Sequence, residues 1–99
     1  MKAETKVIFR KFREGDIIAL FPTMAGDCDN GATCNSYQHI GQHGSASPLL
    51  VQAHTVAAKP GEYADLLREL KRIGYADLRI ARRFTRADYQ ERRKQCDRP

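Results

Sequence analysis

The pattern of hydrophobic and polar residues in the first part of the chain predicts a β-hairpin. Residues 5–13 interleave β-branched and aromatic residues with basic ones, which is typical of a strand. Residues 17–21 form a continuous apolar run that stops at Pro22, as expected for a buried central strand. Residues 14–16 are a turn sequence whose glycine tolerates a positive φ angle. The buried face of the first strand is ambiguous, because its apolar residues fall on both sides: Val7, Ile8, Phe9 and Phe12.

The next part of the chain predicts a third strand between two loops. Residues 34–40 are assigned to this strand, and residues 23–33 and 41–48 to loops rich in turn-forming residues. Side chains alternate between the two faces of a strand, so one face would carry Asn35, Tyr37 and His39. The opposite face would carry the remaining residues: Cys34, Ser36, Gln38 and Ile40. Residues 49–55 are predicted to form a short extended segment.

The second half of the chain begins with the clearest helix pattern of the sequence. Pro60 and Glu62 suit a first turn, because proline lacks an N–H that this turn leaves unpaired and a carboxylate complements the positive helix end. A buried stripe follows at helical spacing: Tyr63, Leu66, Leu67, Leu70 and Ile73. Gly74 then predicts the end of this helix.

A last strand and a polar helix are predicted after it. Residues 77–84 alternate apolar and basic residues, and the wetter face would carry two arginines: Arg79 and Arg83. Thr85 and Asp88 resemble a capping box for a helix over residues 86–96. This helix has almost no apolar stripe beyond Tyr89, so we expect residues 86–99 to form a polar helix or tail that frays, protrudes or awaits a partner.

These elements predict a single α+β domain over residues 1–99. Their order is three strands, a helix, a strand and a helix, which favours a small antiparallel-rich sheet with one amphipathic helix packed on one face. A chain of 99 residues is long enough for one such two-layer domain with a modest core. A long edge strand beside the hairpin would invite a homodimer, but the pattern does not show which strand lies at the edge.

Composition favours a soluble protein of a reducing compartment. The chain is 41% hydrophobic and 29% charged, which argues against disorder. Its apolar runs fall well short of the roughly 20 residues that span a bilayer, and the N-terminal region lacks the pattern of a secretory peptide. We therefore expect a cytoplasmic location. The odd number of cysteines argues against a disulfide framework: Cys28, Cys34 and Cys96.

The positive charge of the chain concentrates toward its C-terminus. Residues 1–59 hold six Lys and Arg against five Asp and Glu, whereas residues 60–99 hold eleven against seven, a net charge of +4. A basic region suits an anionic partner such as nucleic acid or an acidic protein surface. The alternative is a charged face that only keeps the protein soluble. The arginines that we assign to binding are Arg79, Arg83 and Arg86.

The segment from Cys34 to Ala46 concentrates polar and ring-bearing side chains, and it supplies the rest of the candidate binding site. We assign five of its residues to that site: Tyr37, Gln38, His39, Gln42 and His43. Tyr37 and His39 share one strand face, from which their rings can stack on unpaired bases.

Metal binding and cysteine catalysis are weaker alternatives for the same segment. Cys28, Cys34, His39 and His43 carry donors that zinc prefers, but their spacing matches no standard zinc module, and we expect no metal or other cofactor. Cys34 with either histidine and Asn35 also supplies the residue types of a cysteine enzyme. Since no nucleophile motif surrounds Cys34, we expect no catalytic residues.

Several segments resemble a family of small uncharacterised bacterial proteins. The resemblance is carried by residues 7–22, by residues 36–45 with the string Tyr-Gln-His-Ile-Gly-Gln-His-Gly, and by shorter matches: Lys59-Pro60, Glu62-Tyr63, Ile73-Gly74-Tyr75 and Arg83-Phe84. This chain departs from the family pattern at Ser47-Pro48-Leu49. The resemblance implies a bacterial protein, and it implies no activity, cofactor or site residue.

We therefore predict a small binding protein rather than an enzyme, with nucleic acid as the preferred partner. The arginines of the last strand and helix would contact phosphates, which supply most sequence-independent affinity. Tyr37 and His39 would stack on unpaired bases. The alternative is a protein-interaction module whose basic C-terminal helix binds an acidic partner. A small Cys/His enzyme or a metal-binding protein is the third alternative.

Overall fold

The computed structural model describes residues 4–27, 31–38 and 42–96, which form a six-stranded sheet and three helices. The strands are β1 (Thr5–Phe12), β2 (Ile17–Ala25), β3 (Cys34–Gln38), β4 (Gln42–Ala46), β5 (Thr55–Ala57) and β6 (Leu78–Ala81). The helices are α1 (Pro48–His54), α2 (Pro60–Arg72) and α3 (Arg86–Cys96). The α+β class is confirmed, with an antiparallel-rich sheet and the amphipathic helix α2 layered on it.

The predicted hairpin of β1 and β2 is confirmed and forms the centre of the sheet. The two strands pair antiparallel with Ile8 opposite Leu20, and Gly15 in the connecting turn has φ of +104°. β2 lies between β1 and β3. Leu20 and Phe21, on its two faces, are both completely buried, as expected for a central strand.

β1 is buried on both faces, which explains its ambiguous sequence pattern. Val7 and Phe9 belong to the core cluster under α2, where they meet Leu66 and Leu70. Ile8 is also buried and alternates to the other face of the sheet. That second face carries its own cluster under α1 and α3: Ile18, Leu20 and Cys34, with Phe12, Ala46, Val51 and Phe84 around them.

The outer edge of β1 is shared by two short strands. β6 runs parallel to its first half, with Val7 opposite Ile80, and β5 runs antiparallel to its second half, with Lys11 opposite Val56. The full strand order is β4-β3-β2-β1-β5, with β6 also paired to β1. The predicted strand over residues 77–84 is thus real but shorter.

β4 corrects the prediction of a polar loop over residues 41–48. It pairs antiparallel with β3, with His43 opposite Tyr37 and Ser45 opposite Asn35. The side chains of His43 and Ser45 are exposed and Gly44 has none, so this edge strand shows no apolar alternation that the sequence could reveal. The predicted facing of β3 is confirmed for Tyr37, which packs under α2, and for Cys34, which packs on the opposite face. His39 and Ile40 lie outside the described residues.

Residues 49–55 form α1 and the start of β5 instead of one extended segment. Ser47 caps α1 by accepting a hydrogen bond from the Leu50 N–H at 3.3 Å, and Pro48 occupies the first helical position. This serine–proline pair is a helix-start signal. β2 also continues three residues past Pro22, into the predicted loop over residues 23–33.

α2 confirms the predicted helix. Leu66 and Leu70 are buried against the sheet, and the Tyr63 ring stacks on Phe9 with ring centroids 4.3 Å apart. At its start, Glu62 accepts a hydrogen bond from the Lys59 N–H at 2.9 Å and another from the Lys11 ammonium group. These two donors hold the pKa of Glu62 below its usual value, with the Lys11 hydrogen bond as the larger cause.

Candidate nucleic-acid interface

α3 contacts the sheet through polar side chains rather than an apolar stripe. Asp88 is 4% exposed, and it accepts hydrogen bonds from Lys6 of β1 at 2.7 Å and from the Thr85 N–H at 2.8 Å. The Thr85 hydroxyl in turn accepts from the Asp88 N–H at 3.3 Å, so the predicted capping box is confirmed. Because the sequence of α3 lacks an apolar stripe, we expected this helix to fray or protrude. Over residues 86–96 it instead packs on β2.

Arg92 anchors the middle of α3 to an irregular part of the sheet. The pairing of β2 with β3 shifts register between Phe21 and Ala25. Arg92, only 6% exposed, donates to the Pro22 carbonyl at 2.7 Å and to the Gly31 carbonyl at 2.9 Å. A buried guanidinium requires such partners, and here backbone oxygens supply them.

Gln95 extends this anchor by one more turn. Its amide nitrogen donates to the Thr23 carbonyl at 2.7 Å, and its amide oxygen accepts from the Ala25 N–H at 2.8 Å. The side chain therefore pairs with the backbone of β2 much as a neighbouring strand would. Asp88, Arg92 and Gln95 follow each other at helical spacing, so the inner side of α3 is fixed and its other side faces outward.

The outward side of α3 is basic. It carries exposed residues at positions i, i+4, i+7 and i+8: Arg86, Gln90, Arg93 and Lys94. Lys94 lies 4.0 Å from Glu91, and such an exposed pair contributes little stability.

Further arginines precede α3 on β6 and the segment after it. Arg79, Arg82 and Arg83 are exposed. We call them, with the two arginines of α3, the arginine surface: Arg79, Arg82, Arg83, Arg86 and Arg93. Within the described part of the chain, none of these five has a carboxylate within 4.0 Å. Their charges are therefore available to an external anion.

Tyr37 does not have the role that we expected for it. Its side chain is 1% exposed, and its hydroxyl donates a hydrogen bond to the buried carboxylate of Glu69 on α2. A buried ring cannot stack on a base, so the stacking hypothesis fails for this residue. The reason is that α2 covers the face of the sheet on which Tyr37 lies.

His43 is exposed and belongs to a ring cluster at the β4 edge. Its ring meets the Tyr37 ring edge-on with centroids 4.7 Å apart, and its Nε2 lies 3.1 Å from the Tyr75 hydroxyl. Tyr75 in turn stacks on Phe21 with centroids 4.8 Å apart. This cluster joins β2, β3 and β4 to the segment that follows α2.

The structure does not bring the two halves of the predicted site together. His43 lies on the α2 face at one end of the sheet, whereas Arg79 lies on β6 at the other end and alternates to the opposite face. Four strand spacings separate these two strands, about 19 Å. Gln38 is half-buried and lies opposite Gln42 in the β3–β4 register, while His39 lies outside the described residues. Arg83 and Arg86, which follow Arg79 by four and seven residues in the sequence, are exposed as well.

Cys34 is not placed as a nucleophile. It is fully buried in the cluster opposite the His43 face, and burial raises the pKa of its thiol to about 11. An activated cysteine has a lowered pKa instead. Among the residues that the structure describes, no three His, Cys, Asp or Glu side chains are grouped to hold a metal ion. Cys28 and His39 of the zinc hypothesis lie outside those residues.

A groove between α1 and α3 borders the arginine surface. It has a volume of about 520 Å³. Its lining combines apolar or aromatic residues (Ala32, Pro48, Leu49, Phe84 and Tyr89) with polar ones (Ser47, Gln52, Thr85 and Arg92). Leu49 is 80% exposed and Tyr89 is 39% exposed. Sequence reasoning missed this groove because its walls come from segments assigned to a loop, an extended segment and a tail. The one available signal was Tyr89, an isolated aromatic residue in a polar helix.

The chain was compared with known proteins. No family model matches it, and neither the curated proteins nor the solved structures contain a match. The resemblance to small bacterial proteins therefore stays a prediction. In the part of the chain that the structure describes, each helix is too short or too polar to cross a membrane.

Proposed function

We propose that this protein binds nucleic acid through the arginine surface and has no catalytic role. The observation that carries the proposal is the set of five exposed arginines within residues 79–93, none of which has a carboxylate partner among the described residues. The bacterial family and the cytoplasmic location expected from the sequence remain part of this proposal.

Arginine rather than lysine dominates this surface, and that difference favours phosphate as the ligand. A guanidinium group is planar, permanently charged and able to donate two parallel hydrogen bonds to a phosphate. Phosphate contacts of this kind supply most of the affinity that does not depend on base sequence. The whole chain has a net charge of +5, which would also attract a polyanion from a distance.

The arginines of α3 are presented by a helix that is held firmly to the sheet. Lys6 and Asp88 form a buried ion pair, and Arg92 contacts two backbone carbonyls. An ordered scaffold lowers the entropy cost of binding, because the charges are already in place. The arginines of α3 thus have two roles. The buried Arg92 stabilises the fold, and the exposed Arg86 and Arg93 are proposed to bind the nucleic acid.

The test is fluorescence anisotropy with a labelled mixed-sequence single strand at low and at physiological salt. Arg83→Glu should weaken binding at least tenfold while the midpoint of thermal unfolding stays close to that of the wild type. Arg13→Glu is the matched control, since this exposed arginine lies at the opposite end of β1 from β6 and carries the same charge change. The slope of log K against log salt should be about −0.7 per phosphate contacted.

Two results would overturn the proposal. One is the absence of binding by the wild type at either salt concentration, which would favour an acidic protein as the partner. The other is an equal loss of affinity in Arg83→Glu and Arg13→Glu, because it would show a response to net charge without a defined surface.

A further inference from the structure

We propose that the groove between α1 and α3 receives an unpaired base of single-stranded nucleic acid, with Tyr89 as its stacking surface. This inference rests on the proposed function, since it assigns a preference for single strands to the same region. The groove volume of about 520 Å³ lies within the roughly 300–1,000 Å³ of small-molecule sites. Pro48 and Leu49 form one wall, and Phe84 and Tyr89 form the other.

The Tyr89 ring is fixed in position and still exposed. The Arg92 guanidinium carbon lies 5.6 Å from the ring centroid, and Arg92 itself is held by the carbonyls of Pro22 and Gly31. The Gly31 backbone approaches the ring so closely that an added Cβ would lie 3.3 Å from the ring carbon Cε1. Tyr89 as a whole nevertheless keeps 39% of its surface exposed, and since Arg92 lies over one face of the ring, a base would stack on the other face. A fixed aromatic face of this kind stacks on a base without further ordering.

Two arginines of the arginine surface flank this ring. Arg86 lies three residues before Tyr89 and Arg93 lies four residues after it, so all three share one side of α3. The two arginines are about 10 Å apart along the helix axis. They can therefore contact phosphates on either side of a base that stacks on Tyr89. A second copy of this chain carries the same net charge of +5 and would leave these charges unmatched, so charge complementarity favours the single strand.

The experiment compares a labelled single strand, an abasic strand of the same length and the corresponding duplex. The abasic strand keeps the phosphates and removes the bases. We expect the wild type to bind the normal strand more tightly than the other two. Tyr89→Ala should weaken binding to the normal strand about 5- to 150-fold, the range for loss of one base–aromatic stack, and leave the abasic strand unaffected. Tyr89→Phe keeps the ring and should bind within twofold of the wild type.

A fluorescent variant gives a second readout that does not depend on the alanine variant folding. The chain contains no tryptophan, so Tyr89→Trp places a single reporter in the groove. Its fluorescence should be quenched by the normal strand and not by the abasic one. If the wild type and Tyr89→Ala each bound the normal and the abasic strand equally well, the proposal for the groove would be overturned. The proposal for the arginine surface would still stand. Absence of binding to all three nucleic acids would overturn both proposals.

Discussion

Lys6 and Asp88 form a buried ion pair whose Nζ and Oδ2 atoms are 2.7 Å apart, although 82 residues separate them in the chain. Their side chains are only 7% and 6% exposed. Asp88 also closes the capping box with Thr85. One carboxylate therefore joins the first strand to the last helix and starts that helix.

Asp88→Asn should destabilise the protein by about 3–5 kcal/mol, because it leaves the Lys6 ammonium buried without its counter-charge. The double variant Lys6→Met with Asp88→Asn removes the unpaired ammonium group and keeps a side-chain acceptor for the helix cap. It should therefore recover part of the lost stability. Urea unfolding followed by circular dichroism measures both. A double variant less stable than Asp88→Asn would show that Lys6 stabilises the fold without this pair.

Gly31→Ala should destabilise the contact between the 31–33 segment and α3. Gly31 has φ of +83°, which costs other residues about 1–2 kcal/mol. An added Cβ would lie 3.3 Å from both the Tyr89 ring and the backbone nitrogen of Arg93. Gly15→Ala is the matched control, since Gly15 also has positive φ but no atom lies within 4 Å of an added Cβ. The midpoint of thermal unfolding should fall more for Gly31→Ala than for Gly15→Ala. An equal fall in the two variants would show that the contacts of the added Cβ do not contribute.

Cys34 should make stability fall with rising pH. Burial raises the pKa of its thiol from about 9 to about 11, so the unfolded state loses the proton first and is favoured between those two values. From pH 9 to pH 10 the wild type should lose about 1 kcal/mol more than Cys34→Ala, which cannot ionise there. Chemical unfolding of both proteins at each pH measures this. Equal losses would contradict the raised pKa.

Glu62 should contribute stability that disappears in acid. The hydrogen bonds from Lys11 and from the Lys59 N–H hold its pKa below the usual value of about 4.5. Because the folded state favours the charged carboxylate, its contribution is present above the unfolded pKa and is lost as pH falls through the folded pKa. The stability difference between the wild type and Glu62→Gln should therefore be present at pH 7 and shrink by pH 3. Glu14→Gln, in the exposed β1–β2 turn, serves as the control.

Local sequence patterns were sufficient to predict those elements that bury either one apolar face or all of their apolar residues. The helix α2 and the β1–β2 hairpin are of this kind. β4 and α1 were missed because their exposed side chains follow no hydrophobic period, although Ser47-Pro48 was a helix-start signal of its own. The contact of α3 could not be predicted, since Arg92 and Gln95 bind backbone groups where the pairing of β2 shifts register, and no sequence pattern shows this shift.

The candidate site was predicted only in part, because local sequence does not show which elements cover a residue. The basic character of residues 79–98 correctly indicated that the assigned arginines are exposed. Alternation showed that Tyr37 shares a strand face with Asn35, but it did not show that α2 covers this face. The groove beside Tyr89 depends on the approach of α1 to α3, two segments separated by more than thirty residues, and such a long-range contact leaves no local pattern.

The pairing of β6 with β1 also has a consequence for protein synthesis. The first strand of the sheet emerges from the ribosome long before residues 78–96, which provide its parallel neighbour and the helix over β2. At about 5–20 residues per second, the hairpin spends several seconds with the first half of the outer edge of β1 unpaired and with the face under α3 only partly covered. The nascent chain is therefore most prone to misassociation in that interval, and a chaperone that binds exposed β-edges would act on it then.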